Sequence, residues 1–552
     1  MADVKDSTAH DLARVKSTAT DGRLANIFWR QDQLRALHGV LVQHEKDALA
    51  AIEHDAPRNT PTEAKLEYYL ALSAVKQQYA GLDPQRSLDD EYRIKHGKDA
   101  ADRRDAVGIV YVDPTAHTLF YSALVALAAA IAAGNCVVLQ LETTTLRRVP
   151  AVLQTILKAA LDPDVYAITP SYPSSLDPST TVQVLQNGAR DNVPIRPHDI
   201  VSPTAARVLA IVDRTADVAA AARDLVAARF AFGGRSPYAP DLVLVNEFVK
   251  TAFLEAAVRE TIRFLATDGS GKANGVANGD VKPRREKDDA ELAELKAAEG
   301  VRIVTSGANG AVVEIESRSR PPANKSSTSP LLTQPQKIST RLLAVHATTS
   351  LDDAIDVSNR PLSTPTTSTQ DHQQQQQEEL PLAAYLFAAP AYAKYAAQFV
   401  RACATFSNHV PSEKLLGPAI PTPSSLSAAT AVSSPSSTTS AAPPPPYDPT
   451  LFTTPHPDFA AASPLSVTIL SLLSSPTGTT TSSSSSSSTI QSLARQATAP
   501  LPPNRKYKKG VGFFEQGILI GLSLTAGPVL VGVVAAAWVG GRWAWGAWVA
   551  SR

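Results

Sequence analysis

The sequence predicts an α/β protein with a parallel sheet, disordered insertions and one transmembrane helix near the C-terminus. Three features of its 552 residues point there. Short, fully apolar runs alternate with longer runs of helical periodicity, the order of strand–helix–strand units. Tracts rich in Ser, Pro, Thr and Gln interrupt that order and hold too little apolar surface to build a core. One uncharged stretch close to the end is long enough to match the thickness of a bilayer.

In chain order, residues 1–24 form a charged tail. Residues 30–78 carry helical spacing, with Leu34, Leu37, Val40 and Leu41 as one apolar stripe. Leu66, Tyr69, Leu70 and Leu72 belong to a second helical run that Pro61 and Glu63 open. VGIVYV at 107–112 reads as a buried strand. Residues 119–133 are an alanine-rich helix that Gly134 and Asn135 stop, and 136–139 give the next strand before a helix at 146–160. The alternation recurs at 208–213, 215–232 and 242–246, and again at 341–345, 351–358, 383–387 and 391–400. Insertions at 268–290, 318–337 and 360–379 break it, the last holding a glutamine run at 373–377. The largest, 421–505, includes four prolines at 443–446 and a serine run at 482–488, with 459–473 as its one short segment able to order.

Composition excludes several function classes. Lys plus Arg is 52 and Asp plus Glu is 52, which argues against a general nucleic-acid binder. Cys136 and Cys403 are the only cysteines, too few for a disulfide framework or a cysteine-based zinc cluster. No H-x-x-x-H pair exists, so no metal site is expected. Gly233, Gly234, Arg235 and Ser236 lack the lysine and glycine spacing of a phosphate loop. No apolar h-region occurs in the first thirty residues, so no secretory signal is expected.

The run ILIGLSLTAGPVLVGVVAAAWVG at 518–540 carries no charge. At 1.5 Å per residue it spans roughly 34 Å, against a hydrocarbon layer of ~30 Å. Trp538, Trp543, Trp545 and Trp548 crowd its far end. Arg505, Lys506, Lys508 and Lys509 precede it, and only Arg542 and Arg552 follow. The positive-inside rule then predicts a single-pass membrane protein, its long N-terminal part cytosolic and its lipid contact made through 518–540. A buried core helix is the other reading of this run.

Several segments resemble the aldehyde dehydrogenase superfamily, in its class 3, fatty-aldehyde branch. FWRQDQLRALHGVLVQ, from Phe28, resembles the first part of that branch's N-terminal helical pair. ALVALAAAIAAGNCVVLQ, ending at Gln140, resembles the approach to the family's cofactor-binding lysine. RFAFGGRSPYAPDLVLVNEFV, from Arg229, resembles the catalytic-loop region, and ELPLAAYLFAAPAYAKYAAQFV, from Glu379, a late cofactor-domain segment. The resemblance implies a Rossmann-type cofactor domain over 25–210 and an α/β catalytic-type domain over 211–358. It further implies a return segment at 380–420, a linker at 421–505, the span at 518–540 and a tail at 541–552. It implies NAD or NADP as cofactor, a homodimer, and the endoplasmic reticulum as the membrane.

At the positions the family uses for chemistry, this sequence departs. The nucleophilic cysteine falls on Pro237, or on Ser236 if the match slides by one residue. The base glutamate falls on Pro203, within PTAAR, and the oxyanion-holding asparagine on Ala116. The ribose-binding lysine falls on Gln140, with Glu142 close behind as a second candidate contact. The last glycine motif is reduced to LLGP at 415–418. Proline has no nucleophile, and alanine offers no donor to a developing alkoxide. Cys136 and Cys403 read as structural, and His117 as a loop residue beside Pro114. The expectation is a membrane-anchored, catalytically inactive relative with a scaffold or binding role. The alternative is a divergent NAD(P)-dependent oxidoreductase of long-chain aldehydes.

Overall fold

A computed structural model describes residues 2–141, 147–190, 195–265, 300–307, 309–315, 337–360, 380–420, 446–473 and 483–500, with 293–294, 296, 518, 520–522, 535–545 and 548. The chain divides into two compact units, Met1–Ala461 and Ala462–Arg552. The first unit opens with five helices, α1 (Ala2–Asp21), α2 (Ile27–Gln43), α3 (Glu45–Asp55), α4 (Pro61–Ala80) and α5 (Pro84–Tyr92). The start of α4 follows from its sequence. Thr60 accepts from the Glu63 amide while Glu63 accepts from the Thr60 amide, with Pro61 preset for the first turn.

A short strand β1 (Arg104–Ala106) leads to β2 (Ile109–Asp113), α6 (Leu119–Ala132), β3 (Cys136–Gln140), α7 (Val149–Ala160), β4 (Tyr166–Thr169), β5 (Thr181–Leu185) and β6 (Ile200–Val201). Strands β2 to β6 form a parallel sheet in the order β4-β3-β2-β5-β6. Every residue of β2 and β5 is buried, which explains why 107–112 reads as an unbroken apolar run; β5 carries Thr181 and Gln183 and does not read as a strand from sequence. Helix α6 is buried almost throughout, packed on α4 and the sheet. Gly134 ends it at φ 94°, where a side chain would be strained. Asn135 then ties three segments, donating to the Ala130 and Phe452 carbonyls and accepting from the Gly108 amide at 2.8 Å.

The second sheet follows: β7 (Val208–Val212), α8 (Val218–Phe230), β8 (Leu242–Asn246), α9 (Glu247–Leu265), β9 (Val301–Gly307), β10 (Gly310–Ile315), β11 (Leu342–Thr348), α10 (Leu351–Ser358), β12 (Ala383–Phe387), α11 (Pro390–Phe399) and β13 (Thr405–Ser407). Its order is β13-β12-β7-β8-β11-β10-β9, parallel except for the β9–β10 pair. The chain then returns: β14 (Thr453–Pro455) pairs antiparallel with β1, and Phe452 and Tyr447 are buried. The second unit contributes α12 (Pro464–Leu473), on the segment read as able to order, and α13 (Ser483–Thr498), inside the stretch expected to be a disordered linker.

The expected membrane helix is corrected. Among the described residues no helix is long and apolar enough to cross a membrane. Within and after 518–540 the longest described helical run is 535–545, roughly 16 Å at 1.5 Å per residue, about half a hydrocarbon layer. The rest of 518–540 is largely outside the described residues. The single-pass anchor is therefore set aside. With it go the lipid partner, the endoplasmic-reticulum location and the anchored scaffold built upon it. No finding supports the implied homodimer. The insertions expected at 268–290 and 360–379 fall almost wholly outside the described residues.

Candidate functional site

In the first sheet the chain runs from β2 outward through β3 to β4, then crosses back to β5 and β6. The switch lies between β2 and β5, and ligands of open α/β sheets bind beyond the carboxyl ends of strands at such a point. A cavity of about 260 Å³ lies there. Asp113 at the end of β2, Gln140 at the end of β3 and Asn187 and Arg190 after β5 line it, with Arg147 on the loop before α7.

Its polar groups interlock. Arg190 pairs with Asp113 at 2.6 Å and donates to Gln140 Oε1 at 2.8 Å. The Tyr111 hydroxyl donates to the same oxygen. Asn187 donates to Asp113 at 3.1 Å and to the Pro114 carbonyl at 3.0 Å. An arginine can only donate, so the Gln140 atom facing Arg190 must be the amide oxygen. Arg147 has no hydrogen-bond or ion-pair partner among the described residues.

A second cavity, of about 60 Å³, adjoins the first through Ala116, Leu119 and Arg147. Glu67, His117, Asn59, Phe232 and Arg235 also line it. Glu67 is buried and accepts from the Phe120 amide at 3.1 Å, which caps α6. Burial pushes its carboxyl up to about 7, against the amides of Tyr121 and Phe120 and with help from the Asp55 charge. His117 lies 2.9 Å through Nε2 from the Leu415 carbonyl. Burial pushes its pKa down to about 4, so at neutral pH the ring is uncharged and Nε2 carries the proton that this carbonyl accepts.

The loop that brings Phe232 and Arg235 to this cavity is held from both sides. Glu63 accepts from the Phe232 amide at 3.0 Å, in a turn where Phe232, Gly233 and Gly234 all have positive φ. Below it, buried Arg229 pairs with Asp241 at 3.2 Å and donates to the carbonyls of Ile338 and Thr340. Lys337 adds a 2.7 Å contact to Asp241.

The sequence-derived positions fall differently. Ala116 sits at the rim of both cavities, and Gln140 lines the larger one. Ser236 is fully buried, its hydroxyl accepting from the Tyr238 amide at 3.2 Å, and no hydrogen bond joins it to His117. Pro237 is half-buried beside it, and Pro203 lies in the β6–β7 connection. None of these three lines either cavity. Glu142 lies outside the described residues. Cys136 is buried in β3, its thiol pushed up to about 12 by burial, and burial raises Cys403 too. Sequence reasoning missed Glu67, Arg147 and Arg190. The only signal for Glu67 was a charged residue among the apolar positions of α4.

Comparison with known proteins bears on the fold. No protein-family model matches the sequence, and no curated protein matches it. Solved structures do. A Staphylococcus aureus AldH in a substrate-bound state has a TM-score of 0.53 at 16% identity, over 74% of this chain and 86% of that one. Lactaldehyde dehydrogenase from Escherichia coli has a TM-score of 0.51 at 13% identity, over 73% and 84%. Gamma-glutamyl-gamma-aminobutyraldehyde dehydrogenase from Burkholderia cenocepacia has a TM-score of 0.52 at 17% identity, over 73% and 80%.

The chain therefore has the aldehyde dehydrogenase fold. The likeness is spread over several aldehyde dehydrogenases and singles out no branch. The class 3, fatty-aldehyde assignment is accordingly corrected to the fold alone.

The switch-point cavity can be weighed against a dinucleotide. Helix N-termini, the usual phosphate cradles, are taken here. Asp55 accepts from the Arg148 and Val149 amides at the start of α7, and Glu67 caps α6. Among the described residues no helix follows β5 directly. What remains is a donor set of side chains: Arg147, Arg190 and the Gln140 amide nitrogen. Two guanidinium groups and an amide suit phosphate oxygens. The residues present fit the group through side chains and not through helix amides.

Proposed function

We propose that this chain is a divergent NAD(P)-linked oxidoreductase of the aldehyde dehydrogenase type. The observation that carries the reading is the cavity at the β2/β5 switch point, lined by Arg147, Arg190, Gln140 and Asn187. Arg190 would hold the bridging phosphates, with Gln140 and Arg147 at the sugar end. Bound there, a dinucleotide supplies the hydride acceptor.

The chemistry at the adjoining cavity does not pass through a thiol in this reading. Pro237 and Ser236, Pro203 and Ala116 offer no accessible nucleophile, base or donor at the positions the family uses. An aldehyde hydrate oxidised without a covalent intermediate must give up one hydroxyl proton. Glu67 is the buried carboxylate facing this cavity, and a group titrating near 7 is matched to that task. Uncharged His117 and the closed walls of the loop at 231–235 keep the cavity small.

The test uses the full chain. NADH and NADPH are titrated while nucleotide fluorescence is followed, and NAD(P)H formation from short and long aldehydes is then read at 340 nm. Binding is expected, with turnover that survives Cys136→Ala and Cys403→Ala. Glu67→Gln should lower the rate by about 100-fold or more. The wild-type rate should rise with pH to half its plateau near 7, as the Glu67 carboxylate forms. Binding with no NAD(P)H formed from any aldehyde would remove the oxidoreductase half of the reading. Absence of nucleotide binding would remove all of it.

A further inference from the structure

The polar groups at the end of β3 distinguish two kinds of dinucleotide. Where a nucleotide-binding sheet takes NAD, a carboxylate at the end of the second strand accepts from the ribose 2′-hydroxyl. Where it takes NADP, a nearby arginine meets the 2′-phosphate. Here the residue at the end of β3 is Gln140. Its amide oxygen is already used, accepting from Arg190 at 2.8 Å and from the Tyr111 hydroxyl. What it turns to the cavity is a donor, since its nitrogen has no acceptor among the described residues.

The charges tell the same story. Of the two guanidinium groups lining the larger cavity, Arg190 is neutralised by Asp113 at 2.6 Å. Arg147 has no such partner among the described residues, and it lines both cavities. A charged side chain left without a counter-ion beside a donor amide is an arrangement that a dianionic oxyanion completes. Among the described residues, a ribose diol would leave Arg147 uncompensated and meet no carboxylate acceptor at Gln140.

We propose that Arg147, with the Gln140 amide nitrogen, makes this site selective for a 2′-phosphorylated dinucleotide, NADP over NAD. The selectivity rests on the nucleotide-binding reading above. Arg147 is the specificity determinant and Gln140 orients the phosphate. Arg190 holds Gln140 in the orientation that offers nitrogen instead of oxygen.

The experiment compares NADPH and NADH in fluorescence titrations of the full chain at low and moderate salt. NADPH should bind at least tenfold more tightly, with a preference that shrinks as salt rises. Arg147→Met should weaken NADPH binding about tenfold and change NADH binding less than twofold, while Arg147→Lys keeps part of the preference. A thermal melt of each variant shows that it is folded. Equal affinities, or tighter NADH binding, would overturn the selectivity and leave the nucleotide-binding reading standing. An equal loss of both nucleotides in Arg147→Met would also overturn it. If neither nucleotide binds, the parent reading fails, and this one with it.

Discussion

Two side chains at the small cavity titrate in opposite senses, and both effects follow from burial. The Glu67 carboxyl is raised from 4.5 to about 7, so the folded protein holds its proton where the unfolded chain has lost it. Stability is full below about 4.5 and is lost as pH rises through 7. A shift of this size corresponds to roughly 3 kcal/mol. His117 is lowered from 6.5 to about 4, so the unfolded chain takes up a proton first. Its share of stability is present above 6.5 and is lost as pH falls towards 4. Between pH 5 and 8 the two oppose each other, and the wild-type protein should show a shallow pH profile. Glu67→Gln removes one side of the balance. Urea unfolding should then show the variant gaining about 2–3 kcal/mol relative to wild type between pH 5 and 8. A constant difference across that range would contradict the assigned carboxyl.

Element by element, the loop at 231–236 matters most to the site, because it carries Phe232 and Arg235 to the cavity. Its shape depends on three successive residues in the left-handed region, two of them glycine. Gly234 has φ +74°, and a Cβ there would lie 2.6 Å from the Thr340 carbonyl carbon and 2.7 Å from its oxygen. Backbone on the far side cannot swing away as a side chain can. Gly234→Ala should therefore cost about 3 kcal/mol or more, from backbone strain and overpacking together. The check is a denaturant midpoint with unchanged slope. The Arg229–Asp241–Lys337 knot beneath explains the rigidity, since it joins this loop to the strand entry at 338–340.

The first unit is closed by its own C-terminal return at the scale of the whole molecule. Residues 447–458 run back to the segment that precedes the first sheet, where β14 pairs with β1 in a two-stranded sheet. Phe452 is fully buried and its carbonyl accepts from Asn135 at 3.0 Å. Gln78 donates to the Tyr447 carbonyl at 2.9 Å, so the return also grips α4. Phe452→Ala should cost about 3–5 kcal/mol by leaving a cavity at this junction. A thermal or urea midpoint measures it, and a loss under 1 kcal/mol would show that the return contributes little. Each of these contacts joins residues more than 300 apart in sequence.

The sequence by itself determined the alternation of strands and helices. Fully apolar runs such as 208–212 and 242–245 read as central parallel strands, and both faces of each are buried. The helix start at Pro61 and Glu63 and the stop at Gly134 were legible for the same local reason. Tertiary structure alone decided the rest. Glu67, Arg147 and Arg190 lie on three separate elements, and only the fold brings them to two adjoining cavities. Ser236 reads in sequence as a candidate nucleophile position, yet the fold buries it completely. Apolar length made 518–540 read as a membrane span, but length and hydropathy state only what a segment can do. Whether a helix forms over the whole of it is a cooperative matter of backbone hydrogen bonds, and no described helix has that reach.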